Sequence, residues 1–561
     1  MNTPLIAHWP LDGNARDLQN GLNGAPYNVT WVEGPSGRPC SAALFNGRDS
    51  VIAVNNAPQL QLGCDEFSIS AWIRCAKPMR GAFGDVLSKF DAERRCGLNI
   101  SVSGGSTCYG SNSDARHLHA GIDDGYLGAW SDHGRPGLGN PLVSCLTVYE
   151  GELYAGLSDA QTPEEACKVF RWDGEAGWSD CGRVSDDLRC PSVMSMIVHD
   201  GHLYAGTGAW DWGRAEAARD AVPPIPLTRV FRYEGGTTWR DMGAVGHGQR
   251  VLTLASFEGE LYAGLDAGGK GECYVLRGER WEHVGGTDDG GNFECLMPVG
   301  GVLYGASHHA IYRYDGDARW TTIGFQPFDI TQIHAFQVMD GKLWIGTWPQ
   351  GYVLRLEDDG RWTNTGKIGL DVGRPGVAAI NEINSLGVHN GKLYAGVLPK
   401  AQIYRYESDG HWTLLGSFAS TPDWNPELLP TWMRILSLST HRGRLFTCTG
   451  TCMARHQDLD PDLTAGRVLS CQAGIVASHE HDLGDAWTHV AIVRQRAALE
   501  LYVNGKLAQS TAMPAGHHFH LGNAVPLLIG SGAQSSFDGA ISDVRLYGAA
   551  LDEAQVSQLS R

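Results

Sequence analysis

Residues 382–416 read EINSLGVHNGKLYAGVLPKAQIYRYESDGHWTLLG. Asn390-Gly391 and Asp409-Gly410 are flanked by alternating apolar residues, the pattern of tight antiparallel hairpins. The stretch therefore predicts four strands. The first begins at 382, the second carries Leu393-Tyr394, the third carries IYRY at 403–406, and the fourth runs from Trp412 to Gly416.

Every part of this unit recurs. The Trp-x3-Gly pairs are Trp130/Gly134, Trp178/Gly182, Trp239/Gly243, Trp281/Gly285, Trp320/Gly324, Trp362/Gly366 and Trp412/Gly416. Second-strand pairs recur as Leu153-Tyr154, Leu203-Tyr204, Leu261-Tyr262, Leu303-Tyr304, Leu343-Trp344 and Leu445-Phe446, and third strands as VFRW at 169–172, VFRY at 230–233 and IYRY at 311–314. A four-strand unit repeated in this way is one blade of a β-propeller. Trp130 has no earlier strands of its own, and the last repeat, ILSLSTHRGRLF at 435–446, has no Trp-x3-Gly after it. One blade is thus shared between the two ends, which closes the ring without an open edge. Seven blades are expected, with the seven tryptophans in the core.

The flanks differ. WPLDG at 9–13, LFNG at 44–47 and FSISAWI at 67–73 precede the repeats, and WTHVAIVR at 487–494, LELYVNGKL at 499–507 and FDGAISDVRLY at 537–547 follow them. Alternation such as LELYV before an Asn-Gly turn predicts sandwich strands and a hairpin. In order and content the two series resemble the halves of a laminin-G-like, concanavalin A-type jelly roll. The expected fold is all-β: a seven-bladed propeller (123–465) inserted into a concanavalin A-like β-sandwich made of 1–122 and 466–561, at a point where the host's ends lie close together. The resemblance further implies carbohydrate binding and a structural calcium, with Asp12 and Asp543 as its ligands.

Composition narrows the function. A net charge of −18 argues against nucleic acid or an anionic membrane as partner, and no run of about 18 apolar residues is present. No leader precedes Trp9, so the expected location is cytoplasmic, or secreted or periplasmic if a leader was removed. The 14 cysteines form no CxxC pair. Cys145 and Cys295 occupy a column of small inner-strand residues and are expected to be reduced core thiols, whereas disulfides among Cys40, Cys64, Cys75, Cys96 and Cys108 stay open.

Aligning inner strands on their turns gives two columns at the ring mouth. One runs Ser144, Met194, Leu252, Glu294, His334, Asn384, Leu436; the other, two residues earlier, runs Leu142, Ser192, Arg250, Asn292, Gln332, Glu382, Arg434. Charge is confined to blades 3 to 7, and buried charge is costly unless paired or solvated. The candidate catalytic residues are therefore His334, Arg250, Glu294, Glu382, Arg434 and His308, with an ion pair between Arg250 and Glu294 as the purely structural alternative. Overhanging connections add substrate-binding candidates: Trp210, Asp211, Trp212, Trp348, Lys400 and His309, with Asn384 from the inner column. Two chemistries fit. A lyase would neutralise a uronate carboxylate with arginine and use histidine to remove a proton, no cofactor being required. A glycosidase would use Glu294 and Glu382 as its carboxyl pair. Two arginines favour an anionic oligo- or polysaccharide and hence the lyase; a non-catalytic lectin or scaffold is the third reading.

Overall fold

The computed structural model describes residues 4–561, except 78–79, 82–83, 105–106, 109, 138–141, 159–162, 210–226, 269, 288–290, 326–329, 373–379, 420–431 and 452–463. Among the described residues the chain is strand throughout, with one α-helix at Glu553–Leu559 and short 3-10 turns.

Seven four-stranded antiparallel blades make the ring; the Gly208–Arg250 pair joins blades 2 and 3 into one eight-stranded sheet, and blade 7 takes up Thr107–Cys108 as a fifth strand. Blade 1 is typical: Leu142–Tyr149, Glu152–Ser158, Lys168–Trp172 and Trp178–Arg183 follow one another from the inside outward. The inner strands touch in the order of blades 1 to 7, and blade 7 returns to blade 1. Blade 7 is the shared one. Its inner strand Ser437–His441, second strand Arg444–Cys448 and third strand Val468–Cys471 come from the end of the repeats, and its outer strand Ser131–Asp132 comes from their beginning. The changeover to the sandwich thus follows Cys471 rather than residue 465, because Val468–Cys471 pairs with Arg444–Cys448.

The Trp-x3-Gly spacing is a latch between blades. Trp178 Nε1 donates to His133 O, Trp239 to Cys181 O, Trp281 to Met242 O, Trp320 to Val284 O and Trp412 to Thr365 O, at 2.8–3.1 Å. Trp130 Nε1 closes the ring on Leu415 O at 3.1 Å. Each acceptor directly precedes the glycine of the neighbouring blade. A glycine is required there: Gly285 has φ +92°, and a Cβ on it would lie 2.9 Å from the Trp320 ring and 2.4 Å from Ala318 O. These tryptophans are half-buried rather than core residues, because the indole edge must reach across the blade gap.

The sandwich mixes both flanks. Asp538–Tyr547, from the end of the chain, lies between Ala42–Asn46 and Phe67–Cys75 in one sheet; His117–Leu127 pairs with Ala473–His479 in the other. The two sheets enclose a core that includes Trp9, Phe45, Phe67, Ile492 and Phe537. The segment after Cys96–Ser103 enters the ring from the side opposite the mouth. Thr107–Cys108 pairs with the inner strand of blade 7, Asn112 bonds Leu254 O and Ser256 N of blade 3, and Asp114 N bonds Val198 O of blade 2. Cys40, Cys64, Cys75, Cys96, Cys145 and Cys295 are free thiols, the last two fully buried.

Candidate active site

The inner strands are not regular. In blades 1, 2, 3, 5 and 6 the pairing with the second strand slips between Val143/Cys145, Val193/Ser195, Val251/Thr253, Ile333/Ala335 and Ile383/Ser385. Each slip is a β-bulge whose extra residue is Ser144, Met194, Leu252, His334 or Asn384, the column read from the sequence. A bulge re-aims its side chain and is common beside active sites. In blade 4 the equivalent residue, Glu294, precedes the inner strand, held by Glu294 N to Ala306 O at 2.8 Å.

Blades 4, 5 and 6 bring five candidates into one cluster. His308, on the connection between the second and third strands of blade 4, places Nε2 2.7 Å from Glu294 Oε1. His334 Nδ1 lies 3.9 Å from Glu294 Oε2, and its Nε2 lies 2.8 Å from Gln332 Oε1 and 3.7 Å from Glu382 Oε1. Asn384 Nδ2 donates to Glu382 Oε1. The rings of His308 and His334 are 5.9 Å apart. Glu294 is fully buried, which by itself would raise its pKa; the hydrogen bond from His308 and the charges of His308, His334 and Arg250 outweigh burial and hold the carboxyl at about 2. His334 Nδ1 and Asn384 Oδ1 are buried without a hydrogen-bond partner.

The arginines depart from expectation. Arg250 does not pair with Glu294. Its Nε and Nη2 bind Asp266 Oδ2 at 2.9 and 2.5 Å, because Asp266 stands opposite it in the hairpin register. Most of its charge is thereby compensated. Arg434 is buried, donating from Nη1 to Trp432 O at 3.1 Å with its guanidinium 6.0 Å from the Trp432 ring. Trp432, which the sequence reading missed, tilts against Trp348 at 5.4 Å and 40°, so the two indoles form one half-buried aromatic wall. Met433, the residue between Trp432 and Arg434, bridges Lys400. His309 is exposed beside His308. Trp210, Asp211 and Trp212 lie outside the described residues.

The expected calcium ligands are engaged elsewhere. Asp12 pairs with Arg38; Asp543 pairs with His8 at 2.6 Å and with Arg545 at 2.9 Å. Asp12 thus faces a guanidinium, and Asp543 an imidazole and a guanidinium. Among the described residues no group of three or more His, Cys, Asp or Glu could hold a metal ion.

Residues 429–557 match the profile of the concanavalin A-like lectin/glucanases superfamily. No curated protein matches the chain in sequence. Similar solved structures include a catalytically inactive virginiamycin B lyase from Staphylococcus aureus with quinupristin, at 10% identity and TM-score 0.40, covering 64% of this chain and 98% of that one. An extracellular domain assigned to a hybrid two component system of B. thetaiotaomicron is similar at 13% identity and TM-score 0.41, over 70% of this chain and 48% of that one. The WD40 β-propeller domain of Doa1 is similar at 10% identity and TM-score 0.37, over 58% and 90%.

Proposed function

We propose that the ring mouth is a proton-transfer centre that cleaves an acidic, uronate-containing glycan by β-elimination. The observation that carries the reading is the sharing of one ionised carboxylate, Glu294, by two histidines. His308 removes the proton at C5 of the uronate, and Glu294 stabilises the imidazolium that forms. The C4–O bond breaks as the C4–C5 double bond forms. His334, flanked by Glu294 and Glu382, protonates the departing oxygen, so protons and electron pairs balance without an oxidant. Lys400 and Arg434 are the cations assigned to the substrate carboxylate, since Arg250 is committed to Asp266. The Trp348–Trp432 wall suits the apolar face of a sugar ring.

Hydrolysis would leave Glu294 as nucleophile or base and Glu382 as the acid, because a carboxyl held at about 2 cannot donate the proton, and it gives the two histidines no part in the chemistry. Simple glycan binding draws on the tryptophan wall alone and leaves the Glu294–His308 pair unexplained. Incubation with a panel of acidic polysaccharides separates the three readings. Ultraviolet absorbance of unsaturated uronate together with new reducing ends supports the lyase. Reducing ends alone mean hydrolysis, and binding without either means a lectin.

A further inference from the structure

A second polar centre lies where the sandwich covers the ring. In the sandwich, Asn99 stands opposite Gly121, and His119 stands between Ser101 and Ser478 on the neighbouring strands. Strand alternation puts Asn99, His119 and Gly121 on the face turned to the ring. Against it sits the turn end of blade 6, where the inner strand Glu382–His389 is followed by Asn390. Eight residues of strand, about 23 Å, separate this end from the mouth.

One small, partly open cavity of about 10 Å³ has Asn99, His119, His389 and Asn390 among its lining residues. Such a space admits one small guest. Asn99 Oδ1, His119 Nε2, His389 Nε2 and Asn390 Oδ1 are all buried with no hydrogen-bond partner. The amide orientations are fixed from behind: Asn390 Nδ2 donates to the carbonyls of Ala473 at 3.1 Å and Ile122 at 3.3 Å, and the Asn99 side chain bonds Asp85. Both oxygens are therefore left as acceptors. Each imidazole is steadied at its other nitrogen by a hydroxyl, His119 Nδ1 by Ser478 Oγ and His389 Nδ1 by Thr440 Oγ1, both at 2.9 Å.

We propose that this cavity binds one divalent transition-metal ion through His119 and Asn99 of the sandwich and His389 and Asn390 of the ring. Imidazole nitrogen with neutral oxygen suits the zinc, nickel and cobalt class rather than magnesium or calcium. The hydroxyls behind the rings are the outer partners that metal-ligating histidines use. Glu480, whose charge acts on His119, supplies compensating negative charge. Each domain gives one imidazole and one amide, so the ion would fasten the sandwich to the ring. Gly121 makes room for the Asn390 amide, since a Cβ there would lie 1.9 Å from Asn390 Oδ1.

The test uses the full chain, stripped with chelator, equilibrated with Zn²⁺, Ni²⁺ or Co²⁺, desalted and assayed for metal. One ion per chain, a raised melting temperature with metal and a visible Co²⁺ spectrum are expected. His119→Ala, His389→Gln and Gly121→Ala should each lower the occupancy at least tenfold, whereas Ser101→Ala keeps it. Absence of stoichiometric metal in the unaltered protein overturns the proposal, as does full occupancy in both histidine variants. Because the unaltered chain decides the first point, a variant that fails to fold does not blunt the test. The outcome is independent of activity at the mouth.

Discussion

Glu294 is the residue on which the mouth depends, because two histidines from different elements lean on its carboxylate. Replacing it with glutamine keeps a hydrogen-bond acceptor but removes the charge that stabilises an imidazolium. Turnover of Glu294→Gln should fall by about 10²–10⁴-fold, the usual contribution of general acid–base catalysis, with the fold retained and the melting temperature lowered by the lost carboxylate. Acid titration gives a second check. The Glu294 pKa is depressed from 4.5 to about 2, so its contribution to stability is complete above 4.5 and is lost as pH falls toward 2; the Gln variant should lack that part of the acid limb in a denaturation series. The clustering of Glu294, His334 and Glu382 was legible in the columns, since radial blades converge equivalent positions. The fate of Arg250 was legible only in part. Asp266 is its hairpin partner, but the columns compare blades with one another and do not look across a hairpin.

Two elements convert a repeat into a site: the bulged inner strand and the tryptophan latch. The bulges explain why one column of the alignment faces the channel where a regular strand would turn alternate residues away. The latch explains the spacing that reveals the repeat. Trp239→Phe keeps the ring but deletes the bond to Cys181 O, and should cost about 1 kcal/mol in chemical denaturation. Glycines at the latch should rank by their surroundings. Gly134→Ala meets only the strain of φ +78°, about 1–2 kcal/mol. Gly285→Ala adds collisions with Ala318 O and Trp320 and should cost more than Gly134→Ala by at least about 1 kcal/mol. What stayed hidden was the third strand of blade 7. Val468–Cys471 carries VLSC instead of an aromatic-Arg-aromatic triplet, so nothing in its residues announces the role that its pairing gives it.

At the scale of the molecule, the sandwich is more than a host for the insertion. Its segment around Ser111–Asp114 bonds the inner strands of blades 2 and 3, so the ring's far end is closed by the other domain. The contact face is rich in buried histidine, which HLH at 117–119 encodes but which an apolar-pattern reading passes over. His117 is fully buried and held neutral, its pKa pushed down from 6.5 to about 3 chiefly by burial. A histidine whose folded pKa is depressed favours the native state above 6.5 and penalises it increasingly as pH falls toward the folded value. His117→Gln should flatten the part of the loss of melting temperature that begins as pH falls below 6.5. Closure of the far end also leaves the mouth as the place where ligand meets the cluster of blades 4 to 6. The most direct test of that cluster's role is the initial rate of unsaturated-uronate release from an acidic polysaccharide by the unaltered chain, His308→Ala and Glu294→Gln, each assayed well below its own melting temperature. The account predicts release by the unaltered chain and at least a hundredfold loss in both variants; release at equal rates in all three proteins would contradict it.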